Sequence, residues 1–172
     1  MSKKDITPPL DALNLDSATS EEKQEALRQI IELIDPALTR QVLALGMDRQ
    51  EEDLVRIEAW RALGMAEASP ILSTIREAAG QLVRNSDEDE DVQIQTLLTL
   101  ALLPVTENEI QLAQDVIESD AYILLQSAAF DVIKANKHSP QAVLALESLQ
   151  THPDFGTSAR WELQSESGRD NP

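Results

Sequence analysis

Four helix-start signals recur at a nearly constant spacing, and this regularity limits the possible folds more than any other feature of the chain. In three of them a capping side chain stands directly before a proline, and the fourth is a capping-box pattern: Asp35-Pro36, Ser69-Pro70, Ser139-Pro140, and Thr106 with Glu109. The signals start at positions 35, 69, 106 and 139, so they lie 34, 37 and 33 residues apart. A period of this size predicts stacked helix pairs, with each capped helix the second of its pair.

The first helices of the four pairs are predicted at residues 20–34, 51–63, 91–103 and 120–135, which gives eight helices. Shifts of 37 and then 33 residues align apolar or small side chains at three positions, each one helical turn from the next. The aligned sets are Val55, Val92 and Leu125; Ala59, Thr96 and Ala129; Leu63, Leu100 and Ile133. We expect these nine residues to form the buried face. The first pair fits the register poorly, as expected for an end unit with one polar face.

Composition supports one all-helical domain, since aromatic residues make up only 3% of the 172-residue chain and glycines number five. We expect a flexible arm over residues 1–16, a helical repeat domain over 17–164 and a frayed tail over 165–172. Leu10, Leu13 and Leu15 are predicted to attach the arm to the first helix. The lack of cysteine excludes disulfides and thiolate chemistry. No apolar segment is typical of a signal peptide or a membrane span, so we predict a cytoplasmic protein.

Residues 53–64, Asp-Leu-Val-Arg-Ile-Glu-Ala-Trp-Arg-Ala-Leu-Gly, resemble a HEAT repeat of the short kind found in bilin-lyase-like proteins. Weaker copies begin at Asp91-Val92-Gln93 and at Leu125-Gln126, with glutamine where arginine is usual. The resemblance implies a short right-handed, armadillo-like α-solenoid of about four helix pairs, whose second helices line a concave face. It implies no function, because such scaffolds serve many.

A tetratricopeptide repeat is the rival interpretation, because Trp60, Leu63 and Gly64 begin a pattern of similar period. That pattern would require Tyr at Glu67, Ala at Arg76 and Phe at Gly80, and the other pairs lack its Trp-Leu-Gly core. The HEAT-like interpretation is favoured.

Charge is distributed unevenly, with a net charge of −17 and no lysine or arginine between Asn85 and Ile133. That span holds eleven acidic residues: Asp87, Glu88, Asp89, Glu90, Asp91, Glu107, Glu109, Asp115, Glu118, Asp120 and Asp131. A surface that carries only negative charge speeds encounter with a basic protein and is repelled by nucleic-acid phosphates and anionic lipid. Solubility alone is the alternative explanation of this acidity.

Candidate partner-binding residues follow from this charge. The run 87–91 is predicted to form an extended, solvated linker, because its five carboxylates repel one another. It lacks the glycine and the distal glutamate of a calcium-binding loop, so no metal site is predicted. The last acids of the run would favour the start of the next helix. The predicted partner-binding residues are Asp87, Glu88, Asp89, Glu90, Asp91, Gln111, Gln114, Asp115, Glu118 and Trp60.

The two tryptophans have two interpretations each. Trp60 follows the small core residue Ala59 and is predicted at the edge of the core or as an exposed anchor for a partner. Trp161 is predicted to pack a short final helix over the end of the last pair, and an exposed Trp161 would be a candidate anchor at an interface.

Catalytic motifs are absent from the sequence, which has neither a phosphate loop nor a nucleophile elbow. His138 and His152 lie about 20 Å apart if they flank one helix, too far to share a metal. We therefore predict a non-catalytic scaffold, adaptor or inhibitor, without a cofactor, that docks a basic protein through its acidic middle repeats. A bilin lyase-like enzyme or enzyme subunit, and an inhibitor that mimics nucleic acid, are the alternatives.

Overall fold

The computed structural model describes residues 9, 10, 14, 15 and 17–167, and these residues form α-helices and no β-strand. The helices are α1 Ser20–Arg28, α2 Pro36–Met47, α3 Asp53–Leu63, α4 Leu72–Val83, α5 Glu90–Leu102, α6 Glu107–Glu118, α7 Ile123–Ala135, α8 Pro140–Leu149 and α9 Gly156–Ser167. The all-helical prediction is confirmed. Most of the predicted arm, and the tail beyond residue 167, lie outside the described residues.

The helices pack in two rows. The odd-numbered helices α1, α3, α5 and α7 contact one another in chain order. Each of the helices α2, α4, α6 and α8 packs against the odd-numbered helix that follows it. Contacts between successive even-numbered helices are sparser, so the odd row is the more tightly packed of the two.

The predicted buried face is confirmed at all nine positions. On α3, α5 and α7 the residues at the three aligned positions have side chains that are at most 7% exposed. Each buried valine, leucine or isoleucine contributes about 1.5–3 kcal/mol to folding. The small residue in the middle of each set, Ala59, Thr96 or Ala129, leaves room for the neighbouring helix. The hydroxyl of Thr96 donates to the Val92 carbonyl oxygen at 2.8 Å, so this polar group is satisfied within its own helix.

Three of the four predicted helix starts are confirmed. The Asp35 carboxylate accepts from the Leu38 N–H at 2.7 Å, and the Ser139 hydroxyl accepts from the Ala142 N–H at 3.2 Å. The third is the Thr106 box, in which the Glu109 carboxylate accepts from the Thr106 N–H at 2.7 Å. Such caps satisfy amides that have no partner within the helix, and each contributes about 1 kcal/mol.

The fourth helix start lies later than predicted. Helix α4 begins at Leu72, and Ser69 instead belongs to a turn in which its hydroxyl accepts from the Ile71 N–H at 3.4 Å. Ser69 and Pro70 therefore precede the helix rather than opening it.

Two first helices are shorter than predicted by three residues or more. Helix α1 ends at Arg28 and not at residue 34, because the chain turns to bury Leu33 and to donate its N–H to the Met65 carbonyl oxygen at 3.1 Å. Helix α7 begins at Ile123 and not at residue 120. Its start is delayed by a turn in which the Ser119 hydroxyl accepts from the Ala121 N–H at 3.2 Å.

The two ends of the domain are covered differently. Leu10 is buried and Leu15 packs against the core, whereas Leu13 lies outside the described residues. The predicted final helix is present as α9 and packs on α8. It is held by Phe155, which stacks on Phe130 with ring centroids 5.3 Å apart, and by the buried Ala159. Trp161 takes no part in this cover, since its side chain is 64% exposed, and the prediction for it is wrong.

Among the described residues, no helix combines the length and the apolar composition needed to cross a membrane.

Candidate docking surface

A buried polar side chain recurs one residue after the first position of the buried face. These side chains are Arg56 on α3, Gln93 on α5 and Gln126 on α7, and all three are buried. Each donates to carbonyl oxygens at the end of the preceding even-numbered helix, where the helix itself provides no donor. The acceptors are Gly46 for Arg56 at 3.3 Å, Val83 and Asn85 for Gln93 at 3.0 Å each, and Ile117 and Ser119 for Gln126 at 3.1 and 2.8 Å.

Arg160 on α9 continues this series, because it lies 34 residues after Gln126 and donates to the Gln150 carbonyl oxygen at the end of α8. The same contact at four successive junctions has a geometric consequence. The carboxyl ends of the even-numbered helices and the amino ends of the following odd-numbered helices meet along one edge of the molecule. We call this the junction edge.

Carboxylates crowd the junction edge. At three successive junctions the chain between the two helices is formed by residues 48–53, 85–91 and 118–122. Arg49 is the only basic residue in these segments. The exposed acidic side chains within them are Asp48, Glu52, Asp53, Asp87, Asp89, Glu90, Asp91, Glu118 and Asp120. The residues that the sequence places in separate repeats therefore lie in a row, which we call the acidic edge.

The run 87–91 is a folded turn, and the predicted extended and solvated linker is wrong. Both carboxylate oxygens of Glu88 accept from the Arg56 guanidinium, at 2.7 and 2.8 Å, and the Glu88 side chain is only 5% exposed. The hydrogen bonds from Arg56 hold the pKa of Glu88 below its ordinary value, against the opposing effect of burial. An arginine from the preceding unit thus draws one acid of the run into the structure.

Asp89 is also structural, because its carboxylate accepts from the Asp91 and Val92 N–H groups at 3.0 and 3.1 Å and so caps α5. Glu90 and Asp91 occupy the first turn of α5, where negative charge is favourable, as predicted. Their side chains and that of Asp87 are exposed. Of the five predicted partner-binding acids in this run, only Glu88 is withdrawn from solvent, and Asp89 is exposed although its carboxylate caps α5.

The predicted residues of α6 are mostly exposed. Gln111, Asp115 and Glu118 are exposed on one side of the helix, whereas Gln114 is half-buried. The Gln111 amide donates to Asp115 at 2.9 Å. The Gln114 amide donates to Glu118 at 2.8 Å and to Ser148 of α8 at 3.1 Å. Gln114 therefore connects two helices, and the two carboxylates present their other oxygens to solvent.

Trp60 is a core residue, and the prediction that it anchors a partner is wrong. Its side chain is 0% exposed, and its indole N–H donates to the Gly46 carbonyl oxygen at 3.2 Å. A Cβ atom at Gly46 would lie only 3.1 Å from the ring, so a glycine is what allows α2 to approach the indole this closely.

An aromatic groove that the sequence analysis missed lies between α7 and α9. It has a volume of about 530 Å³, and Phe130, Phe155 and Trp161 contribute three of the five aromatic residues of the chain. A further shift of 34 residues would have aligned Trp161 with the exposed Ser127 of α7, and that alignment is the signal that could have revealed its exposure.

Neither histidine supports a metal site. The His152 ring nitrogen accepts from the Asp154 and Phe155 N–H groups at 3.2 and 3.3 Å, which fixes the turn before α9. Within the described residues no three histidine or carboxylate side chains come together as metal ligands would.

Comparisons of this chain with protein-family models, with curated proteins and with solved structures find no match.

Proposed function

We propose that this protein is a non-catalytic binding protein, built as a short right-handed solenoid of HEAT-like helix pairs, that docks a basic protein. The acidic edge and the exposed side of α6 form the docking surface. The observation that carries this proposal is that the exposed acids of α5 and α6 belong to a span without basic residues and form no ion pair among the described residues.

Of the eleven lysines and arginines in the described part of the chain, most are neutralised within the fold. Seven of them form ion pairs with carboxylates: Lys23, Arg28, Arg56, Arg61, Arg76, Lys134 and Lys137. By contrast, the exposed acids Asp87, Glu90, Asp91, Asp115 and Glu118 have no ion-pair partner within the described part of the chain. Because residues 85–133 contain no lysine or arginine, the charge that this span contributes to the surface is only negative, and it would speed encounter with a positively charged partner and orient it.

The solenoid part of the proposal is supported by the repetition of two features. The buried face recurs at the same positions of α3, α5 and α7, and so does the side chain that caps the preceding helix. Arg56 is one of the residues that carry the resemblance to a HEAT repeat, and here it contacts both the α2 end and Glu88. This contact gives the arginine a physical reason to occupy that position.

The test is affinity capture from native lysate with two matched charge-reversal variants. The first is Asp115→Lys with Glu118→Lys on α6. The second is Glu32→Lys with Glu67→Lys, which changes the net charge equally at exposed loop positions away from α5 to α7. We expect the wild type and the second variant to retain the same basic protein at low salt and the first variant to lose it. Equal retention by both variants would contradict the proposal.

A nucleic-acid mimic is a second candidate, favoured by the row of exposed acids at successive junctions. Neighbouring helices lie about 8–10 Å apart, so the row repeats at a regular distance. If the chain is such a mimic, the captured protein must bind nucleic acid, and this chain must compete with the nucleic acid for that protein. The competition should disappear with the α6 variant, and a captured protein without nucleic-acid affinity would exclude this candidate.

A further inference from the structure

A groove of about 490 Å³ separates α4 from α6 on the even-numbered row of helices. On the α4 side, Arg76, Gly80 and Arg84 follow one another at intervals of one helical turn. Asn108 and Gln111 line the α6 side. The volume lies within the range of about 300–1,000 Å³ that is typical of small-molecule sites.

The two arginines of this groove differ in what they contact. Arg76 donates to the Pro104 carbonyl oxygen at 3.0 Å and lies 3.8 Å from the Glu109 carboxylate. Arg84 makes one hydrogen bond within the described residues, to the carbonyl oxygen of Gly80 in its own helix at 3.2 Å, and no ion pair. Although Glu77 and Glu109 also line the groove, neither carboxylate forms an ion pair with the Arg84 guanidinium. It keeps further N–H donors for another molecule.

Gly80 explains how Arg84 reaches this position. A glycine inside a helix costs about 1 kcal/mol relative to alanine, and Gly80 is buried in the middle of α4. A Cβ atom at this position would lie 2.9 Å from the Arg84 guanidinium nitrogen. The missing side chain therefore lets the guanidinium lie across the helix, against the wall of the groove.

The rest of the lining limits the charge of a ligand. Glu109 is buried and accepts from the Thr106 N–H and hydroxyl at 2.7 Å each, so it is already engaged. Glu77 is exposed and would repel a polyanion. The amides of Gln81 and Asn108 can donate to an oxyanion or accept from a hydroxyl group. One oxyanion group on a small polar molecule fits this set.

We propose that the groove between α4 and α6 binds a small organic oxyanion, a carboxylate or a phosphate, through the Arg84 guanidinium that Gly80 positions. Charge-assisted hydrogen bonds from arginine are about twice as strong as neutral ones. At physiological ionic strength the Debye length is about 8 Å, so the remote carboxylates of the chain are largely screened whereas a direct contact is not. The groove shares Gln111 with the exposed side of α6, but binding of an oxyanion there does not depend on the function proposed above.

The test is a titration of the full chain with inorganic phosphate and, separately, with succinate at constant ionic strength, followed by backbone amide NMR. We expect saturable shifts at Gly80, Gln81 and Arg84 with at least one anion, and the anion that saturates identifies the source of the oxyanion. Arg84→Gln should bind at least about tenfold more weakly. Arg40→Gln is the matched control, because Arg40 makes the same kind of bond, to Pro36 at 3.5 Å, outside the groove.

Gly80→Ala tests whether the position of the Arg84 guanidinium matters for binding, because it displaces the guanidinium and keeps its charge. Alanine favours the helix, so this variant should melt no lower than the wild type and still bind several-fold more weakly. Unchanged binding by Gly80→Ala would overturn the role of Gly80. The absence of a saturable shift with either anion, or equal affinity of the wild type and Arg84→Gln, would overturn the site.

Discussion

The run 87–91 and the exposed side of α6 carry the same chemistry but serve different purposes. In the run, Glu88 is drawn into a bidentate pair with Arg56, and Asp89 caps α5. On α6, Asp115 and Glu118 accept only from amides of their own helix and remain exposed. An acidic residue is thus structural where the preceding unit provides an arginine or a free helix end, and it is available to a partner where neither is near.

Removal of the Glu88 carboxylate should give the largest difference between these two regions. Glu88→Ala leaves the buried Arg56 guanidinium with only the exposed Asp53 carboxylate at 3.4 Å and the Gly46 carbonyl oxygen, and we expect it to lower the free energy of unfolding by up to about 3–5 kcal/mol. Asp115→Ala should change it by less than about 0.5 kcal/mol. Urea unfolding of the two variants measures both values, and similar losses would erase the distinction.

Acid should weaken the same pair. Because the folded-state pKa of Glu88 is lowered, its stabilising contribution is fully present above the ordinary value of 4.5 and is lost as the pH falls through the lowered pKa. The difference in unfolding free energy between the wild type and Glu88→Gln should therefore shrink as the pH falls below 4.5. A difference that stays constant down to about pH 3 would show that the carboxylate charge is not what stabilises the junction.

Substitution of two glutamines, one buried at a junction and one exposed on α6, should give a smaller difference in stability. Gln126→Leu removes the buried amide that donates to the end of α6, and we expect a loss of about 1–3 kcal/mol. Gln111→Leu removes an exposed amide and should cost less than about 0.5 kcal/mol. Thermal unfolding of both variants is the measurement, and a Gln126 variant as stable as the wild type would contradict the junction described here.

The smallest expected effect lies within the run itself. Asp89→Ala removes the cap of α5 and should lower the unfolding free energy by about 1 kcal/mol. Asp87→Ala removes an exposed carboxylate and should leave stability unchanged within error, because only the Asp87 backbone is held, through its carbonyl oxygen and Arg49. Urea unfolding measures both free energies, and the critical result is that Asp89→Ala is less stable than Asp87→Ala.

Periodic features of the fold were predictable from the sequence, whereas features of single residues were not. The spacing of the caps and the register of Val55, Val92 and Leu125 predicted the helix pairs and the buried face, because helical packing repeats at fixed intervals. The early end of α1 was not predictable, since it depends on a hydrogen bond between Leu33 and Met65, which are distant in sequence.

The candidate site was predictable only in part, for a related reason. The count of charged residues located the acidic span. It could not show that Glu88 is buried while Asp87 is exposed, because that difference depends on the position of Arg56 in a neighbouring unit. The two tryptophans show the same limit. Trp60 is buried because Gly46 admits its ring, and Trp161 is exposed because Phe155 and Ala159 cover the end of the domain instead.

Affinity capture from native lysate with the two charge-reversal variants, at about 0.05 M and about 0.5 M salt, shows whether a basic protein docks on the acidic surface. We expect one basic protein bound to the wild type and to Glu32→Lys/Glu67→Lys at low salt. The same protein should be released at high salt and absent from Asp115→Lys/Glu118→Lys. Retention by the α6 variant at low salt, or the capture of no basic protein by the wild type, would contradict this docking.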